Sequence, residues 1–251
     1  MDGLFDVAGK VVVVTGGSRG IGRMIATGFA EAGARVYISA RKAEELQTTA
    51  DAIGAVAVPA DLSTAEGIAT LVAAVTERES AVHVLVNNAG AAWGAPLEEY
   101  PEAAWDKVLG INVKGPFLLT QALLGPLKAA AAPDDPARVI MIGSIEGFAV
   151  PAWPNYAYPA SKAAIHQLAR HLAADLAPEV TVNAIAPGLF PSKMTAFAFN
   201  DGNEQEVVKR IPMRRAGRPT DIAGVALFLA SSAGSYVTGA VLPVDGGTTL
   251  R

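Results

Sequence analysis

Tyr158 and Lys162 stand four residues apart in Tyr158-Pro159-Ala160-Ser161-Lys162, so on a helix they lie one turn apart on the same face. An ammonium close to a phenol favours the phenolate. The spacing therefore predicts a tyrosine whose pKa is drawn down from about 10 toward the range useful for proton transfer. Tyr156 competes for this role, but its i+4 position is Ala160, so spacing selects Tyr158. Pro159 fits the first turn of such a helix, where its missing N–H costs little. Ser144 precedes Tyr158 by 14 positions and closes an apolar run.

A second constellation lies near the start of the chain, in Thr15-Gly16-Gly17-Ser18-Arg19-Gly20-Ile21-Gly22. Its glycines follow G-x-x-x-G-x-G between an apolar run and a helical stretch. Such a turn lets a pyrophosphate approach the backbone and face the N–H groups of a helix start. An ordinary Gly-rich turn is the alternative. The next apolar run ends in Ile38-Ser39-Ala40-Arg41-Lys42, with no acid before Glu44. A ribose 2′-hydroxyl is usually met by Asp or Glu at this point, whereas the guanidinium of Arg41 suits a 2′-phosphate. Arg19 is a second candidate for the same phosphate. The expected cofactor is NADP(H). Alternatively, Arg41 and Lys42 only solvate a helix start, where the dipole disfavours cations.

The elements that must position these groups alternate along the chain. Runs 11–15, 34–39, 55–60, 83–88, 138–144 and 180–187 read as strands, with 240–245 a seventh. Their near-continuous apolar character fits strands buried on both faces of a parallel sheet. Amphipathic stretches 21–32, 42–52, 65–78, 102–128 and 159–177 fall between them. This pattern predicts an α/β fold, a Rossmann-type doubly wound parallel sheet of about seven strands, with ligands at the strands' carboxyl ends. No linker tract or repeat divides the chain, so 1–251 reads as one domain.

Composition excludes other chemistries. The 251 residues contain no cysteine, which rules out disulfides, iron–sulfur clusters and thiolate zinc sites. His83, His166 and His171 lack H-x-x-x-H spacing, so no metal is expected, and they read as packing or surface residues. Trp93, Trp105 and Trp153 read as core or pocket wall. A formal charge of −4 gives no basic patch for nucleic acid, and no apolar run is long enough to span a bilayer. The first ten residues lack a signal-peptide pattern, and the expected location is the cytoplasm.

Taken with Asp61-Leu62, Asn87-Asn88-Ala89-Gly90, Asn112 in Gly-Ile-Asn-Val, Ala186-Pro187-Gly188, Gly217-Arg218-Pro219 and Val244-Asp245-Gly246-Gly247, these motifs make the chain resemble a short-chain dehydrogenase/reductase from Lys10 to Gly247. The resemblance implies that Tyr158 is the general acid, that Lys162 lowers its pKa and binds the nicotinamide ribose, and that Ser144 polarises the substrate carbonyl. It further implies that Asn112 anchors a water in a proton relay. Gly16, Ser18, Arg19, Gly20, Ile21, Gly22, Arg41, Asp61, Leu62, Asn88, Ala89, Gly90, Pro187, Gly188, Phe190 and Ser192 would contact the cofactor, together with Tyr158 and Lys162.

The wording of the chain is similar to NADPH-dependent 3-oxoacyl reductases, especially those supplying rhamnolipid precursors, with another ketone reductase as the alternative and a non-catalytic cofactor sensor a more distant one. Residues 189–213 would form the substrate lid, with Met194, Phe197 and Phe199 suggesting an apolar ligand, or else a lid packed on the protein itself. Six basic residues between 189 and 218 (Lys193, Lys209, Arg210, Arg214, Arg215, Arg218) against three acids (Asp201, Glu204, Glu206) suggest a seat for a phosphopantetheine phosphate, or else a solvated face. Ala177-Pro178-Glu179 stands where carrier-docking relatives tend to have a basic residue, although Lys128 could substitute. That departure weighs against acyl carrier protein and toward a CoA thioester or free β-keto ester. The family also implies a homotetramer.

Overall fold

The computed structural model describes residues 3–151, 153–196, 199 and 204–250, with Glu204 described by its backbone alone. The apolar runs become β1 (Val11–Thr15), β2 (Arg35–Ala40), β3 (Val56–Pro59), β4 (Val84–Asn87), β5 (Ala137–Ile142), β6 (Val180–Pro187) and β7 (Val241–Val244). All pair in parallel, in the order β3-β2-β1-β4-β5-β6-β7. The seven-stranded Rossmann-type sheet matches the expectation from the sequence.

Both faces of the sheet are buried, as the unbroken apolar runs require. Alternate residues of β1 supply opposite cores. Val11 and Val13 pack with Leu85, Leu119 and Ile165, while Val12 and Val14 pack with Ile25, Phe29 and Leu229. The first core lies under α3 (Ala65–Thr76), α5 (Gly115–Ala122), α6 (Leu124–Ala130) and α7 (Ala157–Leu176). The second lies under α1 (Gly20–Glu31), α2 (Ala43–Ile53) and α9 (Pro219–Ala230). Neither α9 nor the short α8 (Glu204–Lys209) shows clear periodicity in the sequence. α9 is buried on most sides and therefore has no polar stripe to betray it.

The stretch 102–128 is not one helix. It divides into α4 (Glu102–Leu109), a π-helical turn over Gly110–Lys114, α5 and α6, and the last joint bends by 58°. Prolines explain the breaks. Pro116 has no N–H for the carbonyl of Asn112, and Pro126 has none for that of Ala122. β5 also stops two residues short of Ser144, which instead opens a 3₁₀ turn over Ile145–Gly147. No single helix among the described residues is long and apolar enough to cross a membrane.

Candidate active site

The strand order reverses between β1 and β4, and the turns beyond these two strands open a crevice. Thr15 ties them together. Its Oγ1 donates to Val86 O at 3.3 Å and accepts from the N–H groups of Asn88 and Ala89 at 2.8 and 2.9 Å. The Asn88 amide donates to Thr15 O and Gly16 O at 2.8 and 3.2 Å, so its side chain braces the Gly loop from behind. A Cβ on Gly22 would fall 2.3 Å from Gly16 O, so this close approach of backbone to backbone demands glycine. The loop then leads into the N-terminus of α1. This is a cradle shaped for a pyrophosphate.

A cavity of about 790 Å³ extends from this loop past the ends of β2, β3, β4, β5 and β6. Every residue expected to contact the cofactor lines it, from Gly16 and Arg41 through Asp61 and Gly90 to Gly188, Phe190 and Ser192. Ser144, Tyr158 and Lys162 line it too, whereas Asn112 does not. The Asn112 side chain is buried behind the wall. It donates to Ala91 O and Ser161 Oγ at 2.9 and 2.8 Å and accepts from Ala91 N at 2.9 Å. Ser161 Oγ in turn donates to Tyr158 O at 2.6 Å. Asn112 thus tethers the start of α7 to the turn after β4.

The expected electrostatics of Tyr158 need correction. Burial pushes its phenol up to about 12, against a lowering hydrogen bond from Ser144 and with a further rise from the charge of Glu146. Lys162 Nζ lies 5.4 Å from the centre of the Tyr158 ring and donates to Ile142 O at 2.8 Å. Burial lowers that ammonium to about 8, partly offset by Glu146. Sequence spacing gave the proximity of the pair but not the desolvation, which dominates. Tyr158 therefore holds its proton at neutral pH.

Ser144 Oγ accepts from Glu146 N at 3.1 Å, and its hydroxyl meets the Tyr158 phenol on the cavity wall. The Ser144 N–H points to His166 Nε2 at 3.4 Å. His166 sits one turn beyond Lys162 on α7, buried against Gly143 and Gly147, where any Cβ would collide with the imidazole. Burial and then the charges of Lys162 and Arg170 lower it to about 4, so it stays neutral and can accept. His83 is half-buried, with Nδ1 accepting from Val11 N at 3.0 Å, and the exposed His171 faces Asp175. All three histidines are packing or surface residues, as expected. Trp153 lines the cavity, but Trp93 and Trp105 are neither core nor wall; they are 42% and 37% exposed.

At the far end of the cavity Arg41 approaches Asp61 to 4.0 Å, and the neighbouring Ser63 hydroxyl and N–H hold that carboxyl below its usual range. Glu45, which the sequence did not single out, reaches Arg19 at 3.3 Å and Lys193 at 4.0 Å. Its only sequence signal is an acid in the first turn of α2, a position favoured by the helix dipole. Arg19 and Arg41 remain the two guanidinium groups able to meet a 2′-phosphate.

The stretch expected to form a lid begins at Leu189. Phe190 is buried beneath Gly217, and Thr195 Oγ1 donates to Phe190 O at 2.5 Å. Phe197 and Asp201, and the side chain of Glu204, lie outside the described residues. Much of the basic character expected near 189–218 is neutralised locally. Lys193 pairs with Glu45, Lys209 with Glu206 at 2.5 Å, and Arg215 with Asp221 at 2.5 Å.

The family described as enoyl-(acyl carrier protein) reductase matches residues 16–249. The rhamnolipids biosynthesis 3-oxoacyl-[acyl-carrier-protein] reductase of Pseudomonas aeruginosa is 49% identical over an aligned length of 252, covering 98% of each chain. The galactitol 2-dehydrogenase (L-tagatose-forming) of Cereibacter sphaeroides is 40% identical, again over 98% of each. Among solved structures, the Pseudomonas aeruginosa RhlG/NADP active-site complex superposes with a TM-score of 0.95 at 48% identity, covering 99% of both chains.

Proposed function

The chain belongs to the short-chain dehydrogenase/reductase family, and from that premise we propose that it is an NADPH-dependent reductase converting a ketone to a secondary alcohol, with a 3-oxoacyl thioester as substrate. The observation that carries this reading is the meeting of Ser144, Tyr158 and Lys162 on the wall of the cavity that also holds the Gly-loop cradle.

The fit to NADP(H) rests on that cradle, on the glycine contact behind it, and on Arg19 and Arg41 at the 2′ end. When bound, the reduced nicotinamide supplies the hydride. The chain's own residues manage position and the proton. Ser144 turns its O–H from the phenol to the carbonyl oxygen, and Tyr158, protonated at neutral pH, gives its proton to the alkoxide that develops there. Lys162 supplies positive charge behind the phenol and stabilises the tyrosinate left after transfer. Asn112 acts through Ser161 on the backbone of Tyr158 and holds the phenol in register.

The absence of a cation in Ala177-Pro178-Glu179 favours a CoA thioester or free β-keto ester over a docked carrier protein. Lys128 is exposed and Ala177-Pro178-Glu179 offers no cation, so carrier recognition would have to rest on Lys128. A cytoplasmic homotetramer completes the proposal. Trp105, Leu109 and Phe117, each 36–39% exposed, give α4 and α5 an apolar face suited to close helix packing between copies. Sedimentation equilibrium tests the assembly.

Turnover of NADPH with acetoacetyl-CoA and longer 3-oxoacyl thioesters, beside a panel of ketosugars, tests the activity. Reduction of the thioesters is expected. Silence there with turnover of ketosugars would favour the second reading, a polyol-type dehydrogenase, which the galactitol dehydrogenase relative supports.

A further inference from the structure

Glu146 places a carboxylate on the cavity wall two residues beyond Ser144, beside Trp153 and Tyr158. The chemistry described above does not use it. Both of its oxygens are fixed, Oε1 accepting from Trp153 Nε1 at 3.3 Å and Oε2 from Asn155 Nδ2 at 2.8 Å. Asn155 is buried, so the carboxylate is anchored from behind and is not free to swing out to solvent. Among the described residues no Lys, Arg or His forms an ion pair with it.

Apart from Lys42, next to Arg41, the cations on the cavity wall are engaged elsewhere. Arg19 and Lys193 meet Glu45, Arg41 meets Asp61, Lys107 lies over the Trp93 ring, and Lys162 donates to Ile142 O. A carboxylate-bearing ligand is normally held by a free guanidinium or ammonium. At the ketone end of this cavity it would meet the fixed carboxylate of Glu146, with the Lys162 ammonium held behind the Tyr158 ring. The neighbouring wall is apolar, with Ile145, Leu189, Met194 and Trp153.

We propose that Glu146 is a specificity-determining residue: it admits neutral 3-oxo compounds, meaning β-keto thioesters and esters, and rejects ketones that carry a carboxylate near the carbonyl. The selection works by repulsion and by loss of water from an unpaired anion, not by a stronger contact to the favoured substrate. The proposal rests on the reading of this cavity as a ketone-reducing site, and it excludes sugar acids from the substrates of that site.

Binding of 3-hydroxydecanoate and of its methyl ester to the NADP-loaded protein tests this without requiring turnover. The wild type is expected to bind the ester more tightly by on the order of tenfold, a modest value for two charges facing each other across a wet cavity. Glu146→Gln should bring the ratio close to one by strengthening the acid, and Glu146→Asp should keep the discrimination. Raising ionic strength from about 0.01 M to about 1 M should narrow the wild-type ratio, a readout that needs no variant to fold. Equal binding of acid and ester by the wild type, binding of neither, a salt-independent ratio, or a ratio unchanged in Glu146→Gln overturns the proposal. If no 3-oxo compound is reduced by the wild type, the proposed activity fails, while the binding ratio still decides the role of Glu146.

Discussion

Burial tunes the proton affinity of the two side chains that matter most, since it pushes the Tyr158 phenol up to about 12 and the Lys162 ammonium down to about 8. Tyr158→Phe removes the proton donor while leaving the Gly loop and Arg41 intact. It should still bind NADPH, seen by fluorescence titration, and lose roughly 10²–10⁴ in turnover, the usual contribution of a general acid. His166 gives a second prediction. Its pKa of about 4 in the folded chain lies below the unfolded value of 6.5, so between these two the unfolded chain binds more protons. The stability linked to it is present above pH 6.5 and is lost as pH falls through about 4. Thermal melts at pH 7 and pH 4.5 should therefore differ less for His166→Asn than for the wild type. At this scale the sequence was legible where spacing along one helix or one loop makes the site, as for Tyr158 with Lys162 and for the glycines from Gly16 to Gly22. Glu45 and Glu146 were not legible, because each matters only through neighbours distant in space or across a turn.

The strand ends beside the crevice are held by few groups, and Thr15 is the one on which two of them depend. Thr15→Val keeps the shape but leaves the N–H groups of Asn88 and Ala89 without their acceptor. A loss of about 1–3 kcal/mol is expected for such unsatisfied groups. Urea denaturation should show it as a lower midpoint with an unchanged slope. NADP affinity should fall as well, since Asn88 also braces Gly16. Strands were read within one or two residues because β-branched runs flanked by turns have few other uses. Helices fared less evenly. Apolar periodicity carries across Pro116 and Pro126, so 102–128 looked continuous, although the missing N–H groups break it into pieces and create the π turn that presents Asn112 to Ser161.

Across the whole molecule, ligand and fold stability are linked, because a dinucleotide seated in a cavity that spans the ends of β2, β4, β5 and β6 would bind only the folded chain. At a free NADP concentration about a hundred times its Kd, folding should gain roughly 2.7 kcal/mol, visible as a higher Tm. At equal concentration NADP should raise Tm more than NAD does, and Arg41→Ala should narrow that difference. An unchanged gap would assign the 2′-phosphate to other residues. The parallel α/β class was evident from alternation alone, whereas the spatial order of the strands was not, since Val12 pairs with both Val36 and Val84 and sequence distance does not rank them. That order puts β3 and β7 at the margins of the sheet, and each carries a proline, Pro59 and Pro243. Proline removes a backbone donor, so neither margin offers an unbroken row of N–H groups to an additional strand. Copies of this chain that meet along β7 must therefore join through side chains, not through a sheet continued from one subunit into the next.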